Sequence, residues 1–278
     1  MDWNEAIEYA QLVQATYSIL PGNLTNAAGT RINAGSRTYT VVTTIYAFDL
    51  ATDINPGRCN HQVSIGLICQ ADGTGDVVVA IRGTEGILEW FHDAEFLQVT
   101  CPFLAGSGHT EDGFTAMYLS LTTDASPGSP SVVQALATLP YPLPVTSVTI
   151  CGHSLGGALA TLLALDVAAN TVFKTPKVYT YASPRTGDPS FASTFNQVIK
   201  NTFRIANRMD LVPKLPFPPF YEHVNVVEDL NPVQFLPLPP RILVKADLGC
   251  EHALQTYLYL MSLNAGGNVL PLDSSCVP

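Results

Sequence analysis

The feature that most restricts this chain is a serine set between glycines where a strand gives way to a helix. In Ser147-Val148-Thr149-Ile150-Cys151-Gly152-His153-Ser154-Leu155-Gly156-Gly157 a β-branched run ends on a G-x-S-x-G pattern, and the Ala- and Leu-rich run 155–169 follows at once. Such a turn lifts the serine hydroxyl off the strand end, and the flanking glycines prevent clashes with the neighbouring strand and helix. A helix that starts at the next residue also aims its first N–H groups and its dipole at any negative charge developing beside the serine. Chance supplies about 0.1 such matches in a chain of this length and composition, so the bare pattern decides little. The strand before it, the helix behind it and the third glycine at 157 make Ser154 the candidate nucleophile and the Leu155 N–H a candidate oxyanion donor. His153 points off the turn into the packing and is read as structural.

A serine on such a turn takes its partners in the chain order serine, acid, histidine. Only His223 and His252 follow it. His252 lies in Leu248-Gly249-Cys250-Glu251-His252, read as a loop leading into a helix, from which a side chain reaches over the carboxyl edge of a sheet. His223 lies in Phe220-Tyr221-Glu222-His223-Val224-Asn225-Val226-Val227, whose alternation reads as a strand, and a structural, hydrogen-bonded role is expected for it. Asp210 follows the expected strand 202–206 on a strand-end loop, where a carboxylate can orient His252 and stabilise its imidazolium. Asp188 competes for that role but stands where a helix N-cap is expected.

The rest of the chain supplies a scaffold for these residues. Apolar groups at Ile7, Ala10, Val13 and Tyr17 predict a helix over 5–19. Extended segments follow at 39–48, 63–70 and 76–81, and then helices at 113–121, 132–139, 155–169, 191–199 and 253–263 interleave with strands at 145–151, 177–181 and 202–206. Strands alternating with helices imply an α/β fold, a mostly parallel sheet covered on both faces. Residues 211–244 hold too many prolines for helix or central strand. A chain of 278 residues can bury one large core, so residues 1–278 are read as one domain.

Charge and hydropathy narrow the partners. With 13 Lys and Arg against 23 Asp and Glu, the net charge of −10 argues against nucleic acid and against anionic membranes. Neutral lipid or small esters are compatible with 47% hydrophobic and only 13% charged residues, a composition that leaves apolar area exposed. The longest apolar stretches, such as 158–165, fall far short of the roughly 20 residues that span a bilayer, so no integral membrane segment is expected. Met1-Asp2-Trp3-Asn4-Glu5 shows neither the positive nor the apolar region of a signal peptide. Of the six cysteines, at 59, 69, 101, 151, 250 and 276, Cys151 ends a buried strand and is expected to be a free thiol, leaving room for at most two disulfides.

Several separated motifs, spread over residues 6–263, resemble the class 3 lipase family, the fungal-type triacylglycerol lipases and their bacterial and plant relatives. They are Val79-Ala80-Ile81-Arg82-Gly83-Thr84, His109-Thr110-Glu111-Asp112-Gly113-Phe114, the Ser154 turn, Tyr181-Ala182-Ser183-Pro184-Arg185-Thr186-Gly187 and Asn207-Arg208-Met209-Asp210-Leu211-Val212-Pro213. The resemblance implies the α/β-hydrolase fold and a triad of Ser154, Asp210 and His252. It also implies Thr84 as second oxyanion donor, a secreted enzyme, and a lid helix at 86–96. There Ile87, Trp90, Phe91 and Ala94 share one helical face, while Glu89, His92 and Asp93 share the other. Phe217, Phe220, Phe235 and Leu236 are expected in an acyl-binding wall. The expected reaction is hydrolysis of medium to long acyl esters through an acyl-enzyme, at a neutral lipid–water interface, with no metal or organic cofactor. A feruloyl-type or general carboxylesterase is the nearest alternative. A non-catalytic lipid-binding module, the alternative of a different class, would be favoured by a missing triad member, and none is missing.

Overall fold

A computed structural model describes residues 1–20, 24–48, 62–83, 96–126, 128–231 and 247–276. Helix α1 (Trp3–Ile19) starts where the Asp2 carboxylate accepts the N–H groups of Asn4 and Glu5. Strands β1 (Arg31–Ala34), β2 (Arg37–Phe48), β3 (Gln62–Ala71) and β4 (Asp76–Ile81) then run back and forth. β5 (Gln98–Thr100) and β6 (His109–Glu111) pair as a separate hairpin, followed by α2 (Asp112–Leu119) and α3 (Val132–Leu136). The chain next alternates β7 (Ser147–His153), α4 (Leu155–Asn170), β8 (Lys177–Tyr181), α5 (Pro189–Val198) and β9 (Asn201–Asn207). It closes with β10 (Val227–Leu230), α6 (Leu248–His252) and α7 (Leu254–Ala265).

Eight of these strands form one sheet in the order β1-β2-β3-β4-β7-β8-β9-β10. The four pairings from β4 to β10 are parallel and the three from β1 to β4 antiparallel. The parallel half carries the site, because only parallel strands bring several carboxyl ends to one edge. Along β4, Val77, Val79 and Ile81 face a core shared with α2, α4 and α5. Val78 and Ala80 face a second core against α1 and α7. Burial on both faces explains why the central strands read as unbroken apolar runs. Helix α4 is buried nearly all round, hence its almost uniform Ala and Leu content.

Two local readings need correction. The alternation over 220–227 does not make a strand: Val226 is 78% exposed and Asn225 takes φ +53, which breaks the extended backbone, so β10 begins only at Val227. β10 lies at the sheet edge, the kind of strand a proline-rich segment can supply. Residues 248–252, read as loop, form the short helix α6, with the Asp247 carboxylate capping Gly249 and Cys250. Among the described residues one disulfide, Cys250–Cys276, ties α6 to the C-terminal 3₁₀ turn Ser274–Cys276, while Cys69, Cys101 and Cys151 are free and buried.

The N-cap of α2 gives this fold a pH dependence. Glu111 Oε2 accepts the Phe114 N–H at 2.6 Å from a side chain only 3% exposed. Burial outweighs the capping bonds and pushes the carboxyl from 4.5 up to about 7. The folded chain therefore holds this proton more tightly than the unfolded chain. Its stabilising contribution is complete below 4.5 and is lost as pH rises to about 7. Glu111→Gln keeps the capping acceptor without the charge. In urea unfolding it is expected to be more stable than wild type by roughly 1–3 kcal/mol at pH 8 and to show no gain at pH 4.

Candidate active site

Ser154 stands between β7 and α4 with φ 60 and ψ −129, a strained backbone for a residue with a Cβ. Register fixes its neighbours, since Ile81 of β4 pairs with Gly152 and His153 pairs with Tyr181 of β8. The Ser154 amide donates to the Tyr181 carbonyl at 2.9 Å, which closes the turn against β8. A Cβ at Gly152 would lie 2.1 Å from the Gly156 carbonyl oxygen, and one at Gly156 would lie 2.3 Å from that of Ile81. Strand, turn and helix can approach this closely only with hydrogen at both positions. The sequence pattern therefore has a steric cause.

The structure brings Ser154, His252 and Asp210 together. His252 Nε2 lies 2.8 Å from Ser154 Oγ, and His252 Nδ1 lies 2.8 Å from Asp210 Oδ2. All three are buried, at 1%, 7% and 1% exposure, so little water competes for these bonds. Proton positions follow from the partners. A carboxylate accepts, so Nδ1 carries the imidazole proton, which leaves Nε2 free to accept from the Ser154 hydroxyl. Asp210 is itself held by the Tyr257 hydroxyl at 2.7 Å and the Val212 N–H at 3.0 Å. Burial and the adjacent Asp210 raise the Tyr257 phenol well above its usual pKa, so it stays a donor. Tyr257 carries no sequence signal beyond its place on the helix after His252.

Backbone carbonyls anchor the histidine. His252 is the last residue of α6, and Asn207 at the end of β9 donates through Nδ2 to the preceding carbonyl, Glu251, at 2.8 Å. His153 Nε2 donates to the His252 carbonyl at 2.9 Å, and its ring lies 4.8 Å from the His252 ring. His153 is thus buried beside the triad and bonds away from Ser154.

The rival residues are engaged elsewhere. His223 Nε2 donates to the Pro213 carbonyl at 2.5 Å, and burial lowers its pKa to about 3. Asp188 caps α5 by accepting the Phe191 N–H at 2.7 Å and pairs with His109. Leu155 opens α4, where the first N–H groups lack helical partners. Thr84, Ile87, Trp90, Phe91, Phe235 and Leu236 lie outside the described residues. Phe217 and Phe220 are 65% and 75% exposed and line an open groove of ≈ 410 Å³ with Phe96, Leu97, Pro216 and Tyr221. No triad member lines it, so it is not the reacting position itself.

The class 3 lipase family model matches residues 78–220. Phospholipase A1-II 6 of Oryza sativa subsp. japonica is 28% identical, aligned over 94% of this chain and 75% of that protein. Phospholipase A1-IIgamma of Arabidopsis thaliana is 31% identical over 70% of this chain and 50% of its own length. Among solved structures, the triacylglyceride lipase of Rhizomucor miehei superposes with a TM-score of 0.60 at 23% identity, covering 82% of this chain and 79% of that one. The Lip2 lipase of Yarrowia lipolytica does so with a TM-score of 0.60 at 20% identity, covering 82% and 78%. At these identities the structural likeness speaks for the α/β-hydrolase fold.

Proposed function

Since this chain belongs to the class 3 lipase family and is a carboxylic ester hydrolase, we propose that it cleaves medium to long acyl esters of glycerolipids, triacylglycerols among them. Residues 1–278 act as one domain, with Ser154 as nucleophile, His252 as general base and Asp210 as the acid that orients it. The observation that carries this reading is the unbroken line of buried hydrogen bonds from Ser154 Oγ through His252 to Asp210.

In the reaction His252 Nε2 takes the hydroxyl proton as Ser154 Oγ bonds to the acyl carbon. The carbonyl electron pair moves onto oxygen, where the Leu155 N–H and Thr84 hold it. The imidazolium, steadied by Asp210, then protonates the leaving alkoxide as the ester C–O bond breaks. Water, deprotonated by the same histidine, attacks the acyl-enzyme and returns Ser154 to its hydroxyl form. The groove edged by Phe217 and Phe220 receives the acyl chain, and the family resemblance implies a cover carrying Ile87, Trp90 and Phe91.

Phospholipid is the second reading, favoured by the relatives named phospholipases A1. Rates on emulsified triacylglycerol, phosphatidylcholine vesicles and a soluble short-chain ester separate the two. Turnover is expected to climb once the lipid exceeds its solubility limit. A flat rate there removes the cover, and turnover of the soluble ester alone makes the enzyme a general carboxylesterase. Failure of the native protein to take a fluorophosphonate label would leave only a binding module.

A further inference from the structure

A second line of hydrogen bonds joins the two sides of the site without passing through Ser154. The Gly83 N–H donates to Tyr17 Oη at 2.8 Å, Tyr17 Oη lies 2.9 Å from His153 Nδ1, and His153 Nε2 lies 2.9 Å from the His252 carbonyl oxygen. Their polarity is dictated by the partners. A carbonyl only accepts, so His153 Nε2 carries a proton. The ring is 4% exposed, and burial together with the neighbouring His252 holds its pKa well below the usual imidazole value. His153 is therefore neutral, its Nδ1 keeps a lone pair, and the Tyr17 hydroxyl donates to it. All three bonds point the same way, from Gly83 to His252, and each polarises the next.

We propose that Tyr17 and His153 are positioning residues that lock the strand end carrying Gly83 to the backbone of His252, fixing the oxyanion side of the site relative to its base. Gly83 directly precedes Thr84 in the chain, and a Cβ at Gly83 would lie 2.9 Å from Ser154 Cβ. At the other end, His252 is the last residue of a five-residue helix, a position whose carbonyl has no partner further along the helix. The relay supplies the missing donor. The guanidinium of Arg82 sits 5.8 Å from the Tyr17 ring centroid and donates to the Ser64 carbonyl, so the phenol is held in place from β3 as well. Tyr17 reaches the site from α1, 136 residues from His153 in the chain. Neither side chain bonds the reacting atoms, and both act through backbone placement.

This inference rests on Ser154 and His252 acting as nucleophile and base, and the test keeps the two claims apart. Wild type, Tyr17→Phe, His153→Gln, His153→Leu and the remote core variant Ile32→Ala are compared for kcat, KM on a soluble ester, melting temperature and fluorophosphonate labelling. Tyr17→Phe is expected to lose roughly 10- to 100-fold in kcat with KM within about twofold. His153→Gln, whose amide N–H still reaches the carbonyl, keeps more activity than His153→Leu. Ile32→Ala melts earlier yet turns over as wild type does. Nitrogen-15 spectra are expected to show His153 neutral and protonated at Nε2. Wild-type kcat in Tyr17→Phe, equal loss in Ile32→Ala, no advantage for His153→Gln, or a proton on Nδ1 of His153 each overturns the relay. A wild type that takes no label overturns the catalytic reading instead.

Discussion

Ser154→Ala is expected to lower kcat on a soluble chromogenic ester by about 10⁵- to 10⁶-fold, and His252→Ala by nearly as much. Nucleophile and base act as one unit. Without the imidazole the hydroxyl keeps its proton, and without the hydroxyl the imidazole has nothing to activate, so the double variant is expected to be no slower than either single one. What survives comes from binding and oxyanion stabilisation. His223→Ala is the informative comparison, because that histidine is neutral and bonded to the Pro213 carbonyl. It is expected to stay within about threefold of wild type in steady-state assays, a range that separates indirect packing effects from loss of a base. If His223→Ala abolished turnover while His252→Ala spared it, the assignment of the base would be wrong.

Asp210→Asn carries the next largest effect, a loss of about 10⁴-fold in kcat with little change in fold. The cause is proton placement. The wild-type carboxylate can only accept, which forces the His252 proton onto Nδ1 and leaves Nε2 open toward Ser154. An amide can turn an N–H toward Nδ1, the proton then settles on Nε2, and the ring faces the serine as a donor. Tyr257→Phe removes one donor from Asp210 but leaves the Val212 N–H and the charge in place, so a loss of only about tenfold is expected. Measuring kcat/KM from pH 5 to 9 for both variants checks the distinction. Equal losses in the two would mean that Asp210 acts through packing and not through its charge.

How much of this was legible in the chain depends on whether the determining contact is local. The Ser154 turn was, because its glycines answer to backbone atoms of the adjoining strand and helix. The alternation of strands and helices was legible too, since burial on each face imprints a period on the sequence. Asp210 could be placed because it follows β9 directly. The α6 helix was not legible, since five residues containing Gly249 fall below the length at which periodicity speaks, and its stability comes from the Asp247 cap and the Cys250–Cys276 bond. β1 was not legible for the same reason, its four residues offering only Ile32 and Ala34 inward. The strand read through His223 failed because a left-handed Asn225 leaves no mark on apolar alternation. Tyr17 and Tyr257 are tied to the site by distant contacts, and no spacing rule reaches across 136 residues.

The free thiols bear on how the protein survives heating. Burial pushes the Cys69 thiol up to about 12 and holds that of Cys151 well above its usual value, so in the native state these two sulfurs stay protonated and unreactive. Once the chain opens they regain ordinary acidity, near 8.5, and become nucleophiles toward the Cys250–Cys276 bond. A single exchange strands the segment bearing His252 on the wrong sulfur, and cooling does not restore it. Endurance is therefore a matter of time spent open and of alkalinity, not of the midpoint of a melting curve.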